Sequence, residues 1–358
     1  MRHATYQPPF PWFGGKSPVA NLVWDAMGDV PNYVEPFFGS GAALFLRPQI
    51  GHTETVNDAD GFVANFWRAM RFNSDEVAEH ADNPVNEADL HARHLWLIGQ
   101  RESLTDRLCG DPDFYDAKAA GWWVWGQCCW IGSGWCSGRG PWQSVDGAMA
   151  LRNPGQGVNR KLPHLRNPGQ GVNRQLPHLG DPGKGVNRQL PHLGNPGKAC
   201  DLRREWLTGY LRGFSDRLRN VRVCCGDWSR VCGPSVTFRH GMTGVFLDPP
   251  YADTATRTEG LYATDSESVA HQVREWAIEQ GGNKNMRIVL AGYEGEHQMP
   301  STWRTVEWKA TGGYGLISDD EEQTGRANRG RERLWLSPHC RKPEQAGLFS
   351  DEPAEACA

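Results

Sequence analysis

The sequence predicts an α/β fold built on a largely parallel sheet of about seven strands, with one long insertion. Short β-branched and aromatic runs alternate with amphipathic stretches on both sides of a central segment. Polar and glycine residues punctuate the run ends, at Glu35, Gly39, Gly41, Asp58, Asp227 and Asp248, and the carboxyl ends of parallel strands are where such sheets bind ligands. The central segment differs in composition, being rich in Pro, Gly and basic residues.

Each element has its own signal. NYVEPF (32–37) is an apolar run that ends in the turn FGSG and leads into a helical stretch, AALFLRP. TETVND (53–58) is a second strand, and GFVANFWRAMR behind it is an amphipathic helix. Beyond the insertion, REWLTGYLRGFSDRLR (204–219) reads as a basic amphipathic helix. Five more strands are expected, at 221–227, 243–251, 286–293, 302–310 and 331–337.

The insertion contains an internal repeat. Residues 152–165 read RNPGQGVNRKLPHL, 166–179 RNPGQGVNRQLPHL and 180–193 GDPGKGVNRQLPHL, with a partial copy ending at Lys198. Pro and Gly in every 14-residue unit exclude helix and mark turns. From Arg152 to Arg222 there are 14 Lys or Arg against 4 Asp or Glu, inside a chain of net charge -4. A basic block in an acidic protein suits a polyanion; Arg160, Arg174 and Arg188 within it, and Arg139 ahead of it, are candidate phosphate contacts. A solvated insert produced by tandem duplication is the alternative.

Bulk features narrow the class. Hydrophobic residues make up 39% of the 358, enough for a packed core, and no run approaches a membrane span. The N-terminus carries no apolar signal segment, so a cytoplasmic setting is expected. Ten cysteines occur without any C-x-x-C, which points to reduced thiols and to no metal site. His91 and His94, in HARH, lack a third ligand and are expected at the surface. The Trp-rich WWVWGQCCWIGSGW (122–135) fits a base-stacking platform and a packed core equally.

The sharpest chemical signal is Asp248-Pro249-Pro250-Tyr251 after the apolar run GVFL. Two prolines fix the backbone and remove two donors, leaving carbonyl oxygens to accept from something else. A carboxylate and such a carbonyl can take both hydrogens of an exocyclic amine. The lone pair, otherwise conjugated into the base, is then localised on nitrogen. Tyr251 offers a face for the base to stack on.

Together with Pro11-Trp12-Phe13-Gly14-Gly15-Lys16 and Glu35-Pro36-Phe37-Phe38-Gly39-Ser40-Gly41, this tetrapeptide resembles the Dam-type (alpha-group) DNA adenine-specific methyltransferases, in motif order and spacing. The resemblance covers the first 75 residues and roughly 200–340. It implies a Rossmann-like class I methyltransferase sheet, S-adenosylmethionine as cofactor and double-stranded DNA as partner. Methyl transfer would go to N-6 of a flipped adenine, with Asp248, Pro249, Pro250 and Tyr251 as the catalytic set. The cofactor contacts it implies are Trp12, Gly15, Lys16, Glu35, Phe38, Gly39, Gly41, Asp58 and Asp248. Among these, Lys16 would meet the methionine carboxylate, Glu35 the ammonium and Asp58 the ribose hydroxyls. Residues 1–75 and 200–340 would form the catalytic domain, 76–199 an inserted target-recognition region holding the repeats (152–198), and 341–358 a disordered acidic tail. A bacterial or phage origin and a separate restriction endonuclease fit the same resemblance. An RNA adenine acceptor, a DNA cytosine acceptor, or a binding protein on a dead methyltransferase fold remain open at this point.

Overall fold

The computed structural model describes residues 8–12, 16–50, 52–130, 135–136, 142–145, 148–151, 200–250, 267–308 and 331–342. Its strands are β1 (Asn32–Glu35), β2 (Thr53–Asp58), β3 (Trp142–Val145), β4 (Ala148–Leu151), β5 (Val221–Cys225), β6 (Thr243–Leu247), β7 (Met286–Tyr293), β8 (Arg304–Glu307) and β9 (Glu332–Leu336). All seven expected strands join one sheet in the order β5-β2-β1-β6-β7-β9-β8. From β5 to β7 neighbouring strands are parallel; β9 runs antiparallel to both β7 and β8. Strands β3 and β4 form a separate antiparallel hairpin that the sequence reading did not foresee.

Burial explains the strand patterns. The inner strands β1 and β6 are buried at every position, whereas the edge strand β8 is never fully buried. Successive side chains alternate between two cores. Tyr33, Phe246, Val289, Ala291 and Leu334 face one core; Val34, Val245, Leu247, Ile288 and Leu290 face the other.

The helices are α1 (Ala20–Met27), α2 (Ala42–Phe45), α3 (Gly61–Ala81), α4 (Glu87–Gly110), α5 (Ala117–Cys129), α6 (Cys200–Leu218) and α7 (Glu267–Gly281). Three of them start on side-chain caps: Asp60, Asn86 and Asp116 accept from backbone N–H groups of the first turns of α3, α4 and α5. Residue 75, the expected end of the first catalytic segment, lies within α3, which is kinked at Asn73. Helix α3 packs on α5 and α6, and Leu97, Leu104 and Trp123 of α4 and α5 share its core. Among the described residues no helix is long and apolar enough to cross a membrane.

Two sequence expectations resolve here. Most of the Trp-rich run is helix α5, with Trp123 and Trp125 buried, so packing dominates. His94 is buried rather than exposed: it stacks on Trp130 with ring centroids 4.7 Å apart and lies 5.0 Å from Trp135. Burial also lowers its pKa to about 4. The apolar partners that hide it come from beyond α5, out of reach of the local pattern HARH.

Candidate active site

Strand order reverses between β1 and β6, since the chain builds leftward to β5 and then returns. A crevice opens at the carboxyl ends of strands at such a point. Here it encloses about 940 Å³, including its open mouth, and Glu35, Asp58, Asp227 and Asp248 all border it. Four residues that end or follow four different strands thus meet in one cleft.

The glycine turn after β1 forms its floor. Phe38 N–H donates to the Asn57 carbonyl at 3.0 Å, and Gly41 N–H closes the turn on the Phe38 carbonyl at 2.8 Å. Gly39 and Gly41 have φ of 48° and 76°, where a side chain is strained. Space forbids one as well. A Cβ on Gly39 would lie 2.4 Å from Trp12 Nε1, and one on Gly41 would lie 2.7 Å from the Phe45 ring. The close approach that these glycines allow is therefore to the protein's own aromatic rings. Phe10, packed edge-on against Trp123 at 4.9 Å and Trp12 at 5.6 Å, fixes the segment that carries Trp12.

Asp58 is tied to this turn: its two oxygens accept from Gly39 N–H and Asp60 N–H, each at 2.9 Å. Burial is the larger influence and raises its pKa from the usual 3.8 to about 7, with Asp60 adding repulsion. Glu35 is buried and accepts from the Tyr33 hydroxyl at 2.9 Å. Its carboxyl is pushed well up by burial, and the charge of Asp248 pushes the same way. Lys16, also buried, pairs with Asp248 Oδ1 at 3.0 Å and lies 5.9 Å from the Trp308 ring. Lys16 was expected to meet a cofactor carboxylate; here it meets a carboxylate of the protein. Asp227 uses one oxygen to cap the turn that follows β5, accepting from Ser229 N–H at 2.9 Å.

The structure therefore brings together Trp12, Lys16, Glu35, Phe38, Gly39, Asp58, Asp227, Asp248 and Pro250 around one cleft. Pro249 is buried between Asp248 and Pro250, and Gly41 closes the turn below. Gly15, Tyr251, Arg139, Arg160, Arg174 and Arg188 lie outside the described residues, as do the repeats and the tail beyond Lys342. Phe38 turns mainly into the core against Trp67, with ring centroids 5.3 Å apart. The neighbouring Phe37 is half-buried on the cleft wall and stacks on Trp228 at 6.4 Å, a pair that sequence reasoning missed. The signal was present, because Phe37 is the first residue of F-x-G-x-G. No group of three or more His, Cys, Asp or Glu among the described residues could hold a metal ion.

A seven-stranded sheet with one reversed strand near its edge, and a cleft at its switch point, defines a Rossmann-like methyltransferase fold. Residues 12–96, which carry the glycine turn and Asp58, match the family model described as D12 class N6 adenine-specific DNA methyltransferase. That match supports an adenine DNA methyltransferase. No curated protein matches the chain.

Proposed function

We propose that this protein is a Dam-type, S-adenosylmethionine-dependent enzyme that methylates N-6 of adenine in double-stranded DNA. The observation that carries the proposal is Asp248 in the same cleft as the Gly39–Gly41 turn, with Pro249 and Pro250 directly after it.

The donor set fits the cofactor. Glu35, with its carboxyl raised by burial, gains from any cation placed beside it and suits an ammonium group. Asp58 keeps lone pairs beyond the two bonds it accepts and suits a ribose diol. Phe37 and Trp228 offer an apolar wall for an aromatic ring. When bound, S-adenosylmethionine supplies a methyl group on a sulfonium, with a good leaving group built in.

The protein's task is then alignment and electrostatics. The carboxylate of Asp248 and the carbonyl of Pro249 accept the two hydrogens of the adenine amine and localise its lone pair. Lys16 holds Asp248 in place through their ion pair. A base within a duplex is out of reach, so it is flipped into the cleft, with Tyr251 as its stacking face. The inserted region 76–199, with its basic block and the β3–β4 hairpin, serves target recognition, its arginines neutralising phosphates.

Transfer of tritiated methyl to plasmid DNA, followed by identification of the labelled nucleoside, tests this. N-6-methyladenine is expected with the native chain and none with Asp248→Ala. Label on cytosine, label only on RNA, or equal label with the variant would overturn it.

A further inference from the structure

In the sequence Cys128 adjoins Cys129 and Cys224 adjoins Cys225, while the fold brings together two cysteines far apart in the chain. Cys109 sits exposed in the last turn of α4, and Cys225 is buried at the end of β5. The Cys109 thiol donates to the Cys225 carbonyl at 3.6 Å, which sets its sulfur beside Cys225. A Cβ on Gly226 would meet Cys109 Sγ at 3.5 Å, so no larger residue separates the two. Arg230 bridges the backbones, donating to the carbonyls of both Cys225 and Cys109. The buried Arg68 guanidinium places a positive charge near both sulfurs.

We propose that Cys109 and Cys225 are an oxidisable dithiol, a modification site that hydrogen peroxide converts to an intramolecular disulfide. Cys109 reacts first, being the exposed partner of the two. Its thiolate attacks one peroxide oxygen; an S–O bond forms, the O–O bond breaks and hydroxide leaves, to be protonated to water. The sulfur of Cys225 then attacks the sulfenic sulfur; the S–S bond forms, the S–O bond breaks, and the departing hydroxide leaves as water with the Cys225 proton. Two thiols and one peroxide give one disulfide and two waters. Burial pushes the Cys225 thiol well up, and Cys109 is the partner open to peroxide.

The position gives the site a consequence. Gly226 N–H donates to the Asp58 carbonyl at 3.1 Å, and Asp227 borders the cleft. The disulfide would tie the end of α4 to the turn that shapes one wall of the cleft. None of this rests on the proposed function.

The test uses the full chain, treated with hydrogen peroxide, alkylated in denaturant and mapped by peptide mass spectrometry. A peptide carrying Cys109 linked to one carrying Cys225 is expected, released by dithiothreitol, with both residues lost from the alkylated pool together. Cys109→Ser should leave Cys225 fully alkylatable, and Cys224→Ser should retain the link. Three results would overturn the proposal: Cys109 ending as a sulfinic acid with Cys225 still free, Cys109 linked to Cys224, or both thiols unchanged by peroxide.

Discussion

Cofactor affinity is expected to rise with pH through neutrality, and Asp58 is the reason. Its pKa of about 7 means that near pH 7 about half of the molecules carry a proton there. A proton blocks acceptance from ribose hydroxyls, so a ligand needing both oxygens binds only the ionised fraction. That fraction rises about 25-fold between about pH 5.5 and about pH 7.5 for a group titrating near 7, and the dissociation constant should fall by the same factor. The sign for stability is opposite. A carboxyl whose folded pKa is raised contributes stability that is full below its unfolded value near 3.8 and is lost as pH rises through about 7. The ligand-free fold therefore weakens over the range in which ligand binding strengthens. Calorimetric titration with S-adenosylhomocysteine, which carries the same ribose and does not react, measures the dependence. Glu35 adds its own slope in the same direction, so the comparison with Asp58→Asn isolates the effect. The variant should lose about one unit of the slope of log Kd against pH. Identical slopes for the two proteins would refute the assignment of Asp58 to the cofactor.

Three further perturbations follow from the geometry. Gly39→Ala should destabilise the fold by about 2 kcal/mol or more in urea, from left-handed backbone strain and the overlap with Trp12; a smaller loss would mean that the indole moves freely. Lys16→Met removes the cation from Asp248, so the acid limb of the pH–rate profile for methyl transfer should shift to higher pH, and an unmoved limb would show that the pair does not matter in turnover. Glu54→Gln breaks a buried pairing in which Arg47 and Arg217 converge on one carboxylate. It should cost about 3–5 kcal/mol in denaturant melts while leaving cofactor affinity per folded molecule unchanged.

The sheet was legible because its strands are buried on two faces, and GVFL or IVLA must then be apolar throughout. The end of GVFL was legible because Asp248 interrupts that run abruptly, and Asp58 likewise closes TETVND. The hairpin was not, since WQSV and AMAL are four residues each, too short for a period to be read. Phe37 opens F-x-G-x-G, but which of two adjacent phenylalanines faces the cleft depends on how the chain turns after β1. The Lys16–Asp248 pair and the Cys109–Cys225 contact join residues more than a hundred positions apart, and no local periodicity reports on such contacts.

Charge ties the cleft to the rest of the chain. Carboxyl groups of Glu35, Asp58, Asp60, Asp227 and Asp248 border the cleft against the single cation Lys16 among its described lining residues, a lining that suits a cation and offers a phosphate backbone little counter-charge. The basic excess lies between Arg152 and Arg222, away in sequence from every cleft residue except Asp227, Trp228 and those after them. A cationic small ligand and a polyanion would therefore be drawn to different parts of one molecule. The raised carboxyl pKa values of Glu35 and Asp58 are the cost of holding these two acids where water is scarce, and a ligand bearing ammonium and sulfonium charges removes that cost on binding. A nucleic acid alone does not, so salt should weaken DNA binding steeply and cofactor binding only slightly. Equal salt sensitivity of the two would mean that the acidic cleft and the basic insertion do not act as separate sites.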